Sequence, residues 1–108
     1  MHIVTGLTLA VAALAATTVL AQPGRLNDQA YVRAGRCVGI ASSPKMAVAD
    51  AASLNAWFKA QTAGREDLAL ARADEARDRG RREADRADDS GHARLLAELS
   101  GVCTTLKN

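Results

Sequence analysis

The chain opens with a continuous apolar run and then changes to a charged, periodic pattern. Residues 1–21 contain no charged side chain and end in Val-Leu-Ala, after which Gln22, Pro23 and Gly24 follow. Small residues at the end of an apolar stretch are typical of a signal-peptidase site. We therefore expect a signal peptide over residues 1–21, cleaved between Ala21 and Gln22, and export to the periplasm or out of the cell.

An uncleaved leader is the alternative. The apolar run over residues 3–21 has the length of a membrane span, because about 17–25 apolar residues cross a bilayer as one helix. The threonines and glycine within the run, and the Gln-Pro-Gly break after it, favour cleavage. The missing lysine or arginine near Met1 favours a retained membrane anchor instead. After cleavage we expect no stable membrane insertion.

Residues 22–108 show apolar side chains at helical spacing and no strand-like alternation, which predicts a single small all-α domain. The predicted helices run from Asn27 or Asp28 to about Ala41, from Ser43-Pro44 to about Ala63, from Arg65-Glu66-Asp67 to about Asp89, and from Ser90-Gly91 onward. A serine cap followed by proline marks the second start. The last helix carries Leu95, Leu96, Leu99, Val102, Cys103 and Leu106 on its predicted apolar face.

The third predicted helix is polar on nearly all sides. Residues 72–89 hold thirteen charged side chains in eighteen positions, with a net charge of −1. This balance argues against nucleic-acid binding, which needs an uncompensated basic stripe. We expect a solvated arm that overhangs the bundle at about 72–89, or a surface for a protein partner. The candidate partner surface consists of Trp57, Arg77, Arg81, Arg82 and Arg86.

The only two cysteines, Cys37 and Cys103, both follow the leader. In an oxidising compartment such a pair predicts a structural disulfide, whereas a redox couple or a metal site favours closer spacing. At about 1.5 Å of rise per residue, the two cysteines meet only if the chain reverses near Gly91. We therefore expect a small antiparallel bundle of three to four helices with one disulfide.

Composition and charge exclude more than they identify. The formal net charge is only +2, and three aromatic residues leave a thin core for a chain of this size. The exported part holds one histidine, His92, and no catalytic grouping. We expect a protein that is not an enzyme and has no cofactor or metal. Met46 with His92 suggests a haem carrier only weakly, because aromatics are scarce and no Cys-x-x-Cys-His is present.

Three function classes remain. The favoured class is a small exported protein that acts through its surface, as an accessory, inhibitor or immunity-type factor with a protein partner. The alternative is an envelope structural or stress protein, dimeric through apolar helix faces. A ligand carrier or enzyme has least support, and it predicts a pocket lined by Trp57, Phe58 and His92. The sequence identifies neither the partner nor the oligomeric state.

Overall fold

The computed structural model describes residues 24–107, and all regular structure within them is helical. The elements are α1 (Asp28–Ser42), a 3₁₀ turn (Pro44–Met46), α2 (Ala51–Ala60), α3 (Asp67–Arg86), α4 (Asp89–Glu98), a π-helical segment (Leu99–Cys103) and α5 (Thr104–Lys107). The last three elements follow one another without a break and form the C-terminal helix. The all-α expectation is confirmed for this part of the chain.

The first and last helices begin where side chains cap them. The side chain of Asn27 accepts a hydrogen bond from the Ala30 N–H at 2.8 Å, and that of Asp88 accepts one from the Gly91 N–H at 2.8 Å. Each carboxylate or amide oxygen thus satisfies a backbone donor that the first helical turn leaves free. The predicted reversal near Gly91 is confirmed, because α3 ends at Arg86 and α4 begins at Asp89.

The second helix differs from the prediction of one continuous helix over 44–63. The chain leaves the 3₁₀ turn at Ala47, whose φ of 48° is left-handed, and α2 begins only at Ala51. The reason is that residues 44–60 contribute side chains to two separate clusters of buried apolar residues. Met46 is buried with residues of α1, α3 and α4, whereas Leu54 packs in the cluster that α2 shares with α1. The break lets each side chain reach its own cluster.

Helices α1 and α3 approach each other through glycine. A Cβ at Gly35 would lie 2.5 Å from the carbonyl oxygen of Ala73, and a Cβ at Gly39 would fall on the carbonyl oxygen of Arg77. On α3, a Cβ at Gly80 would lie 2.7 Å from a carbonyl oxygen of α1. Because the contacts advance in the same direction along both helices, α1 and α3 run parallel. Only glycine permits backbones this close.

The charged helix does not overhang the bundle. Its buried residues are Ala69, Ala73, Gly80 and Ala84. Their spacing matches the helical repeat, so they form one stripe of small residues on the side that faces α1. The expectation of an overhanging arm is wrong because these small residues bury one side of α3 against α1 along most of its length. The arginines and carboxylates occupy the other sides of α3.

The aromatic core is stacked against an arginine. The rings of Tyr31 and Phe58 are parallel to within 7°, with centroids 5.0 Å apart. The guanidinium of Arg65 lies 4.4 Å from the centre of the Tyr31 ring, and its side chain is only 3% exposed. Arg65 also donates to the backbone carbonyl of Gln61, whose amide group donates to the Gly24 carbonyl at 2.6 Å. This network holds the first described residues against the start of α3.

The predicted disulfide is confirmed. Cys37 of α1 and Cys103 of the π-helical segment are bonded, with their Cα atoms 5.8 Å apart. Closing a loop of this length stabilises a fold by roughly 4 kcal/mol in the chain-entropy model. The bond fixes the C-terminal helix, which descends from the reversal at Asp88, against α1.

The predicted leader and the cut between Ala21 and Gln22 lie outside the described residues. Within residues 24–107, no helix combines the length and the apolar character needed to cross a membrane.

We expect Gly39→Ala to lower the free energy of unfolding by about 1–3 kcal/mol, because the added methyl must push two helix backbones apart. Gly101→Ala is the matched control, since its new Cβ would meet nothing within 4 Å. Urea denaturation of both variants measures the difference. Equal midpoints for the two variants would contradict the close approach of α1 and α3.

Candidate functional site

An open groove lies between α1 and α3, on the side of this pair that α2 does not cover. We call it the α1–α3 groove; its volume is about 620 Å³. It is lined by Asp28, Gln29, Val32, Arg33, Arg36, Glu66, Leu68, Ala69, Arg72 and Ala76. The groove is shallow, because glycine and alanine at the contact bring the two helices close together.

The middle of the groove is apolar. Val32, Ala69 and Ala76 form its floor, and Leu68 stands beside them with 61% of its surface exposed. Leu68 is the most exposed of the large hydrophobic side chains in residues 24–107. Leu68 and this floor form a small apolar surface between the charged residues of the groove.

Two arginines of the groove are electrostatically free. Arg33 of α1 and Arg72 of α3 have no carboxylate within 4.0 Å among the described residues, whereas Arg36, Arg65 and Arg94 each form an ion pair. A guanidinium binds carboxylates through two parallel hydrogen bonds. Arg33 and Arg72 therefore present two unused anion-binding groups beside an apolar floor.

At the end of the groove that is farther from the N-termini of α1 and α3, an ion cluster joins three helices. Arg36 donates to both carboxylate oxygens of Glu98, at 2.7 and 2.9 Å, and to Glu83 at 2.8 Å. Hydrogen bonding to Arg36 is the main cause that lowers the pKa of Glu83, and Arg94 adds a smaller effect. The same bonds, that with Glu98 foremost, raise the pKa of Arg36. The cluster joins α1, α3 and α4.

The predicted partner surface is not assembled as one patch. Trp57 is half-buried and packs against the core. Arg77 pairs with Asp74 at 3.5 Å, and Arg81 lies 3.8 Å from Asp85. These two arginines occupy the flank of α3 away from the groove.

The other two predicted arginines diverge as well. At about 100° of rotation per residue, Arg82 points away from the bundle, and Arg86 lies on the same flank as Arg72. Sequence reasoning missed Arg33, Leu68 and Arg72. The signal that could have found them is the Gly35-x-x-x-Gly39 spacing, which marks α1 as the partner of a helix with a small-residue stripe.

The remaining candidate residues lie apart from the groove. Met46 is 4% exposed and packs against Ile40, Ala84 and Leu95, so its thioether is part of the core. His92 is half-buried in the first turn of α4. No group of three or more histidine, cysteine or acidic side chains within residues 24–107 is arranged to hold a metal ion.

A second, smaller groove of about 320 Å³ separates the C-terminal helix from the 3₁₀ turn and α2. Its apolar lining includes Met46, Val48, Leu54, Leu96 and Leu99. Cys103, which forms the disulfide with Cys37, also lines this groove. We call it the C-terminal groove. Its shape depends on how the C-terminal helix is turned.

The lowered pKa of Glu83 predicts how stability depends on pH. A carboxyl whose folded pKa is depressed stabilises the fold above its unfolded pKa, about 4.3, and this contribution is lost as the pH falls through the folded value. We expect Glu83→Gln to flatten the fall in unfolding free energy below about pH 5. Glu75→Gln is the control, because Glu75 forms only an exposed pair with Arg79 at 3.5 Å.

Urea denaturation at several pH values measures both slopes. A Glu83→Gln slope equal to that of the wild type would show that the Arg36 cluster does not carry the effect.

Comparison of the chain with protein-family models, with curated proteins and with solved structures found no match.

Proposed function

We propose that this chain is an exported, non-catalytic helical protein that binds a partner protein through the α1–α3 groove. In this role it is an accessory, inhibitor or immunity-type factor. The observation that carries the proposal is the pair of free arginines, Arg33 and Arg72, beside the exposed Leu68. The complementary segment is an acidic amphipathic helix of the partner, with carboxylates flanking an apolar side chain.

The groove fits such a helix in shape and charge. Its floor lies between two parallel helices, so a third helix can lay an apolar side chain into it. The guanidinium groups of Arg33 and Arg72 then face carboxylates on either side. Because both arginines are exposed and free, pairing with a partner does not require breaking an existing ion pair. Electrostatic complementarity of this kind chiefly raises association rate and specificity.

Acidic residues in the same groove disfavour a nucleic acid as the ligand. Asp28 and Glu66 lie at its open end, near the N-termini of α1 and α3. Asp28 is paired with Arg65 at 2.9 Å. Arg33 and Arg72 offer only two unpaired cations, whereas nucleic-acid affinity depends on many uncompensated cationic contacts. A peptide segment can place its own basic or neutral residue at that end.

Export is supported by the disulfide and by the apolar leader together. A disulfide persists in oxidising compartments and is rare in the cytosol. The Cys37–Cys103 bond and the leader expected over residues 1–21 therefore favour the same destination, the periplasm or the extracellular medium.

Charge reversal tests the groove. We expect the double variant Arg33→Glu and Arg72→Glu to abolish chemical crosslinking to a partner in an envelope extract of the cells that make the protein. The double variant Arg77→Glu and Arg81→Glu is the control, because it changes the charge equally on the opposite flank of α3. Crosslinked species are identified by mass spectrometry for wild type and both variants.

Three outcomes of that experiment would contradict the proposal. If both double variants capture the partner as well as the wild type does, the groove is not the binding site. If both variants lose the partner equally, binding depends on the overall charge of the protein and not on the groove. If the wild type captures nothing above background, the extract contains no protein partner. A species of twice the chain mass, lost in the Arg33→Glu, Arg72→Glu variant, would identify the occupant as a second copy. That outcome supports the envelope structural alternative instead.

We expect the mature protein to begin at Gln22, because signal peptidase cuts after a small residue at the end of the apolar run. Intact mass spectrometry of the protein isolated from the periplasm or the medium measures this end. Full-length protein recovered in the membrane fraction would contradict cleavage and indicate the retained anchor.

A further inference from the structure

The C-terminal helix contacts α1 through Leu95 and again through Cys103. Between these two contacts it contains one residue more than a regular α-helix would have. It is α-helical over Asp89–Glu98, π-helical over Leu99–Cys103 and α-helical again over Thr104–Lys107. A π turn closes its hydrogen bond over five residues instead of four, so it accommodates one additional residue. Such turns occur frequently at functional positions.

The sequence of this helix fits the uninterrupted α register well. At about 100° per residue, Leu95, Leu99, Val102 and Leu106 would fall within a sector of about 60° on one side. Cys103 would then lie about 80° away from Leu95. In an unbroken α-helix, Val102 and not Cys103 would thus lie on the same side of the helix as Leu95.

The structure shows the other register. Leu95 is fully buried and Cys103 is 4% exposed, whereas Val102 has 47% of its surface exposed. The additional residue of the π turn brings Cys103 to within about 20° of the Leu95 line. Val102 and Cys103 therefore compete for one position against α1, and the disulfide decides in favour of Cys103.

The helix is fixed on both sides of the π turn. Upstream, Glu98 is bound to Arg36 by two hydrogen bonds, at 2.7 and 2.9 Å. Downstream, Cys103 is bonded to Cys37. Within the turn, the Thr104 hydroxyl donates to the carbonyl oxygen of Leu99 at 3.1 Å. The disulfide requires Cys103 to face α1, and Leu106, which packs against the core in this register, adds a weaker apolar contact.

We propose that the π-helical segment Leu99–Cys103 is a redox-sensitive register switch, π-helical when Cys37 and Cys103 are bonded and α-helical when they are reduced. In an exported protein the reductant would be a thiol–disulfide oxidoreductase of the same compartment in its dithiol form, which supplies the two electrons and two protons that convert the bond into two thiols while its own thiols become a disulfide. Val102 then replaces Cys103 against α1. Residues 104–107 turn by about 100° relative to α4.

The rotation changes one wall of the C-terminal groove. Ser100, Cys103, Thr104 and Lys107 all line this groove in the oxidised state. Turning the end of the helix replaces the residues that face the groove while the Arg36–Glu98 contact stays in place. The proposal is independent of what the α1–α3 groove binds.

Methyl NMR spectroscopy tests the switch. The samples are the oxidised wild type, the wild type reduced with dithiothreitol, and the double variant Cys37→Ser and Cys103→Ser. We expect nuclear Overhauser contacts between the Val102 methyls and the methyl groups of α1 in the last two samples and none in the first. Val102 that stays exposed in all three, or a reduced protein that unfolds, would overturn the switch.

Deletion of Gly101 tests the additional residue separately. It removes one residue from the π turn, so a regular α-helix would bring Cys103 within about 20° of the Leu95 line. We expect this variant to form the Cys37–Cys103 bond and to show α-helical backbone shifts throughout. Gly101→Ala, which keeps the residue count, is the control and should retain the π turn. Failure of the deletion variant to form the bond would overturn the register argument.

Discussion

The backbone contact between α1 and α3 is the constraint on which the remaining structure depends. Gly35 and Gly39 bring α1 against the carbonyl groups of α3, and Gly80 does the same from the other side. A large side chain at any of these positions would separate the helices. Their closeness leaves one face of the pair for α2 and the aromatic core, and the other as a shallow groove. The thin core of this small chain is thus supplemented by contact between main chains.

The C-terminal helix is attached to this pair by a few strong links. The Cys37–Cys103 bond and the Arg36 cluster with Glu83 and Glu98 join it to α1 and α3. Leu95 adds the buried apolar contact. Because Cys103 lies beyond Glu98, the disulfide fixes how the end of the helix is turned about its own axis.

Much of this fold could be predicted from residue types, and the failures share one cause. The cap at Asn27, the reversal near Gly91 and the cysteine pairing follow from local chemistry and helical rise. The break at Ala47, the burial of α3 and the π turn do not, because each depends on packing between distant elements. Alanine and glycine form the main helix contact, and a pattern of large apolar side chains does not reveal it. The groove was missed for the same reason, since Arg33 and Arg72 become neighbours only once α1 and α3 are known to be parallel.

When two helices touch through their main chains, only the few positions at the contact must be small residues. Other positions that make no contact of their own can hold many residue types. On α3, the stripe of Ala69, Ala73, Gly80 and Ala84 is constrained, and so are Glu83 and Asp85, which accept hydrogen bonds from Arg36 and Ser43. Mutations can exchange the remaining outward charges of α3 without loss of the fold. The same scaffold can acquire a different binding partner through a handful of surface substitutions, and descendants that share it would resemble one another mainly in the spacing of their small residues and cysteines.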